Sequence, residues 1–76
     1  MKKPIEPCYR MFGVRVEAVR TTLGITQEEL AKRVGLTRTS VTNIEKGNQR
    51  ILLGDVERFA AAFGISPKHL LRGLWT

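Results

Sequence analysis

A chain of 76 residues, 42% hydrophobic and 26% charged, has room for one small core and the composition of an ordinary soluble domain. No stretch approaches the roughly 20 apolar residues of a membrane span, the two N-terminal lysines lack the apolar run of a secretory signal, and a lone Cys8 excludes an internal disulfide while fitting a reducing, cytoplasmic setting. Thirteen Lys and Arg against seven Asp and Glu leave a net charge of +6, which suits either a polyanionic partner such as nucleic acid or plain solubility.

Residues 1–8 carry prolines at positions 4 and 7 and no periodicity, so they read as a flexible N-terminal arm. Its Lys2 and Lys3 are either solvated or placed to touch phosphates. Residues 9–76 then form one domain. A first helix is expected from about residue 9 or 10 to Leu23, because Phe12, Val16, Val19 and Leu23 recur on one face. Gly13 interrupts that pattern, Arg15 and Arg20 lie off it or at its margin, and Gly24 is a good stop.

The second helix is expected over residues 27–34. Thr26 can cap the amide three residues on, and Glu29 can reach back to the Thr26 amide to complete a capping box. Ile25 can staple the helix entry against Leu30. Leu30, Ala31 and Val34 point inward, and Lys32 and Arg33 outward. Gly35 ends the helix and turns the chain, since glycine adopts the left-handed conformation without steric penalty. Leu36 fills the angle, and Thr37 caps a third helix over residues 38–46. Val41 and Ile44 face inward there. Two caps around one glycine, so close together, make an angled helix pair, the pattern of a helix-turn-helix whose second helix enters a DNA major groove.

A loop over residues 48–52 carries Arg50. The fourth helix runs from about residue 53 or 54 to Phe63, with Val56, Phe59, Ala60 and Phe63 on one stripe. Gly64 stops it. Ser66 and Pro67 open a fifth helix, as cap and first helical residue. Leu70 and Leu71 pack inward, Gly73 ends the helix, and Leu74, Trp75 and Thr76 follow as an apolar tail. The fold class is therefore all-α, a compact five-helix domain.

The outward face of the third helix holds the chemistry. Arg can fork onto guanine, Asn can pair with adenine, and Thr offers a hydroxyl and a methyl. Arg38, Thr39, Thr42 and Asn43 are the candidate base-reading residues, and residues 38–43 contain no acid. Thr26, Gln27, Thr37 and Ser40 sit at helix openings, where free amides and the dipole favour phosphate. Lys46, Asn48 and Arg50 follow the third helix and can grip the same strand. The bland reading is a solvated helix face with exposed loop charges. Catalysis has little to stand on. Cys8 and His69 are far apart in sequence, Glu28 and Glu29 lie on a different helix from His69 without a nucleophile, and no spacing suggests a metal ligand set or a cofactor.

Residues 27–46 resemble the helix-turn-helix of the Cro/phage-repressor (XRE-like) family. The resemblance is carried by Gln27, Leu30, Ala31, Val34, Gly35, Leu36, Val41, Ile44, Glu45 and Gly47, by Arg20 and Gly24 before them, and by the run Val56 to Gly64, Ile65-Ser66-Pro67 and Leu70-Leu71 after them. It implies a lambda-repressor-like DNA-binding domain and a structural ion pair between Arg20 and Glu45. It also implies phosphate contacts from Gln27, Lys46 and the loop that follows, and base contacts from Arg38, Thr39, Thr42 and Asn43. The function it implies is a transcriptional regulator, a repressor that binds a two-fold operator in double-stranded DNA as a homodimer. Half-sites would lie about 10 bp apart or a multiple of that. Leu71, Leu74 and Trp75 are the expected dimer seam, unless Trp75 folds back onto its own core. A phage repressor, a restriction controller or an antitoxin with a partner toxin are the settings that fit; a protein-interaction module on the same scaffold is the alternative. Where the family often opens its fourth helix with Ser or Thr after proline, this chain has Leu52-Leu53-Gly54.

Overall fold

Five helices follow one another in the computed structural model, which describes residues 6–74. They are α1 (Pro7–Leu23), α2 (Gln27–Val34), α3 (Arg38–Glu45), α4 (Leu53–Phe63) and α5 (Pro67–Leu70). No strand occurs among the described residues, and none of their helices is long and apolar enough to cross a membrane. Most of the expected arm lies outside the described residues, as do Lys2, Lys3 and the Trp75 assigned to the dimer seam.

The α1 helix begins earlier than its apolar stripe suggests, at Pro7. Proline suits a first helical position because its missing N–H is unpaired there anyway and its φ is already helical. Pro7 and Cys8 thus belong to the helix. Gly13 is not a weak point in α1 but its crossing point with α3. A Cβ on Gly13 would lie within 2.8 Å of the Glu45 carbonyl oxygen, so only glycine lets the two backbones meet. Leu23 falls on the expected stripe but in the last turn before the chain reverses, and it is 49% exposed.

Phe12 and Val16 of α1, Leu30, Ala31 and Val34 of α2, and Val41 and Ile44 of α3 meet Val56, Phe59, Ala60 and Phe63 of α4 in one core. The Phe12 and Phe59 rings meet edge to face at 5.9 Å between centroids, a geometry that sets the positive ring edge against the negative face. Leu70 closes the core from α5, and Leu74 joins it. Leu74 is therefore covered by its own chain and is not the surface residue that a seam requires.

The start of α4 solves the missing cap. Leu52 has no side-chain acceptor, so Asp55 supplies the helix-entry bond: its Oδ2 accepts from the Leu52 amide at 2.9 Å. On α2 the expected return bond goes elsewhere. The Glu29 carboxylate takes Arg33 at 2.9 Å, one helical turn on, while Thr26 keeps its half of the box. A flexible carboxylate at this position has a cation within reach, and the ion pair competes with the amide.

Candidate nucleic-acid interface

The turn between α2 and α3 is fixed at both sides by capping threonines. Thr26 Oγ1 accepts from the Glu29 amide and Thr37 Oγ1 from the Ser40 amide, each at 3.0 Å. Between them Gly35 has φ 74°, the left-handed conformation that closes α2, and its amide bonds back to the Ala31 carbonyl. Half-buried Leu36 packs against the core from inside the angle. The caps orient α3; they do not by themselves hold it against the rest of the domain.

That hold comes from Glu45. Its side chain is only 2% exposed, and both oxygens are used. Arg20 Nε donates to Oε2 at 2.7 Å and Arg20 Nη2 to Oε1 at 3.2 Å, a forked pair between α1 and α3. Arg20 Nη1 also donates to the Ile25 carbonyl at 2.9 Å, just before α2. The hydrogen bond to Glu45 raises the Arg20 guanidinium above its ordinary pKa, desolvation opposes the rise, and the charges of Glu45 and Glu17 add to it. Fork geometry with each of the three guanidinium nitrogens donating to an acceptor is what makes such a pair tolerable out of water.

Gln27 belongs to the same network. Its Nε2 donates to Glu45 Oε1 at 2.9 Å, and its Oε1 accepts from the Thr42 hydroxyl at 3.0 Å. The side chain expected at a phosphate is thus largely committed to joining α2 and α3. What remains toward solvent at Gln27 is the backbone amide of the first helical residue and one amide hydrogen. The Thr42 hydroxyl has two acceptors at 3.0 Å, Gln27 Oε1 and the Arg38 carbonyl, for a single hydrogen. Its methyl and lone pairs are left for anything outside. Periodicity and charge gave no hint of this amide bridge; a glutamine at a helix opening reads equally well as a solvent-facing group.

The other candidates stand on the outer surface. Arg38 and Thr39 are exposed, Asn43 is half-buried, and none of the three has a side-chain hydrogen bond among the described residues. With Thr42 they line a shallow depression of about 210 Å³ on α3. Thr26 and Thr37 are exposed and Ser40 is half-buried; the Thr37 hydroxyl donates to Ser40 Oγ at 3.1 Å. Lys46, Asn48 and Arg50 are exposed beyond the end of α3. Arg50 Nε lies 3.9 Å from Glu6, a contact between two side chains each 60% exposed, which water screens heavily. Since Glu45 is buried, the outer surface of α3 presents no acid.

A helix-turn-helix family model matches residues 16–70. Control protein C.BamHI of Bacillus amyloliquefaciens is 36% identical over 62 residues, 80% of this chain and 76% of that protein. The crystal structure of the restriction-modification controller protein C.AhdI from Aeromonas hydrophila superimposes with a TM-score of 0.78 at 35% identity, over 82% of this chain and 90% of that one. The P22 c2 repressor, solved in complex with a synthetic operator, superimposes with a TM-score of 0.73 at 29% identity, over 82% and 94% of the two chains.

Proposed function

This chain belongs to the helix-turn-helix family of DNA-binding regulators, and we propose that it is a repressor that docks α3 in the major groove of a two-fold operator, as a dimer. The observation that carries this reading is the acid-free depression of Arg38, Thr39, Thr42 and Asn43 on a helix that the Glu45 network holds rigid. A reading helix must be held firmly, because direct readout needs side chains within hydrogen-bond reach of specific base edges. Arg38, Thr39 and Asn43 have free polar groups for that purpose, and Thr42 offers its methyl. Backbone contacts fall to the exposed openings of α2 and α3, to Ser40, and to Lys46, Asn48 and Arg50. The likeness to C.BamHI and C.AhdI supports a restriction-control setting, and that to the P22 c2 repressor supports operator binding.

Self-association is served best by the face around Leu52 and Leu53. They are 75% and 82% exposed, and they border a cavity of about 280 Å³ lined by Cys8, Tyr9, Ile51 and Leu71. A two-fold contact sets each patch against its own copy, so a lining without charge avoids like-charge repulsion. This moves the proposed seam from the tail toward the start of α4, with Leu71 common to both.

Selection of bound sites from random DNA, followed by affinity measurement, tests the proposal. Arg38→Ala or Asn43→Ala is expected to relax sequence preference at one position per half-site. Lys46→Ala is expected to weaken all sequences alike. Unchanged preference in both α3 variants, or affinity that ignores salt, would count against it.

A further inference from the structure

The opening of α1 lies directly on the loop that follows α3. Gly47 is buried with φ 74°, and a Cβ there would come within 2.7 Å of Arg10 Cα and 3.2 Å of Arg10 Cγ. The Arg10 stem therefore rests on the Gly47 backbone, with no room for a side chain between. Helical side chains lean toward the N-terminus, so from Gly47 the Arg10 side chain leans toward the first turn of α1. Glu6, just before that turn, is the residue 3.9 Å from Arg50. Lys46 immediately precedes the glycine on which Arg10 rests. Arg10 of α1 thus rests on the loop that carries Lys46 at its start and Arg50 three residues past the glycine. Arg10 is exposed, and neither a hydrogen bond nor an ion pair engages its guanidinium among the described residues.

We infer that the DNA footprint extends from the helix-turn-helix onto α1, with Arg10 holding a backbone phosphate beside those met by Lys46, Asn48 and Arg50. The inference rests on the proposal that this loop meets the phosphate strand. Three cations beside the single carboxylate of Glu6 leave a positive balance here, which favours a polyanion whose counterions they release. The position of Arg10 also has a geometric use. A contact from α1 braces the domain from a second element, so the angle at which α3 enters the groove does not depend on the loop alone. Arg10 also borders an apolar depression with Met11, Val14 and Arg72, a face that a protein partner would use instead.

The experiment measures affinity for a selected site and for unrelated duplex DNA between about 0.05 and 0.2 M salt. Arg10→Gln keeps the stem over Gly47 and removes the charge. It is expected to melt as the wild type does, to bind both DNAs several-fold more weakly, and to lower the salt slope by about 0.9. Arg10→Lys restores the slope. A wild-type slope in Arg10→Gln, beside a reduced slope in Lys46→Gln, overturns this inference alone and assigns Arg10 to the protein-facing depression. Wild-type protein without salt-dependent affinity overturns the regulator proposal and this inference with it.

Discussion

Glu45 has lost nearly all contact with water, and the groups that replace that water come from two other helices. Arg20 forks onto it from α1 and Gln27 donates to it from α2. Removing the carboxylate leaves the Arg20 guanidinium, 13% exposed, without its counter-charge in a partly dry place. Breaking one partner of such a pair costs about 3–5 kcal/mol; Arg20 keeps its bond to the Ile25 carbonyl and some solvent, so the low end is expected here. Against a total stability of about 5–15 kcal/mol, that is a large loss. Glu45→Ala should lower the melting temperature markedly in a thermal scan followed by circular dichroism, and an unchanged midpoint would refute the role. Gln27→Ala removes one charge-assisted bond, worth about 1.5–3 kcal/mol, and should fall short of the Glu45 effect. The double variant should lose less than the sum, since both act on one carboxylate. At this scale the sequence spoke unevenly. Glu45 looks like any other solvent-facing acid in the helical pattern, and only the family resemblance marked it as paired. The Gln27 amide bridge was invisible because it depends on an angle between helices that no local pattern encodes.

The helices themselves were read well where periodicity and stop agree. In α2 and α4 the apolar stripe, the end glycine and the inward residues coincide with the observed core. Misreadings arose where two local signals competed. Pro7 marks a helix start as well as an irregular arm, and the two prolines without helical periodicity over residues 1–8 favoured the arm. Gly13 looked like a flaw because its reason lies on α3, in the Glu45 carbonyl that it lets approach. Gly54 has no such reason. A Cβ there meets nothing within 4 Å, and its φ is not in the left-handed region. It lies in the first turn of α4, where Asp55 has to stand in for the cap that Leu52 cannot provide. Gly54→Ala should therefore stabilise the protein by about 0.4–1 kcal/mol through the unfolded chain's lost freedom. A denaturant titration with an unchanged m-value and a higher midpoint is the expected reading; a lower midpoint would show a constraint at Gly54 from outside the folded monomer.

For the whole molecule, charge and apolar surface divide the outside into different jobs. The excess of basic residues offered nucleic acid or solubility as its explanations, and composition could not choose. The choice follows from where the charges sit: the one acid of α3, Glu45, is buried and paired, while Arg38, Lys46 and Arg10 are exposed on or beside that helix and have no ion pair among the described residues. The proposed pairing face was less legible. Leu52 and Leu53 sit where loop becomes helix, at the end of the α4 stripe where its first turn begins, so periodicity did not mark them for a surface task. Their exposure in the folded chain suggests the use. Because Leu53 is 82% exposed, Leu53→Glu should leave the monomer's stability within about 0.5 kcal/mol. In a two-fold contact the same change brings two carboxylates to one apolar seam, each without a partner, and dimers should dissociate at concentrations where the wild type is paired. Sedimentation equilibrium reads that directly. Binding to a selected two-half-site DNA should at the same time lose steepness and affinity, whereas a single half-site should bind the variant and the wild type equally. If Leu53→Glu dimerises normally, the seam lies elsewhere on the surface, and the tail beyond Leu71 becomes the segment to alter next.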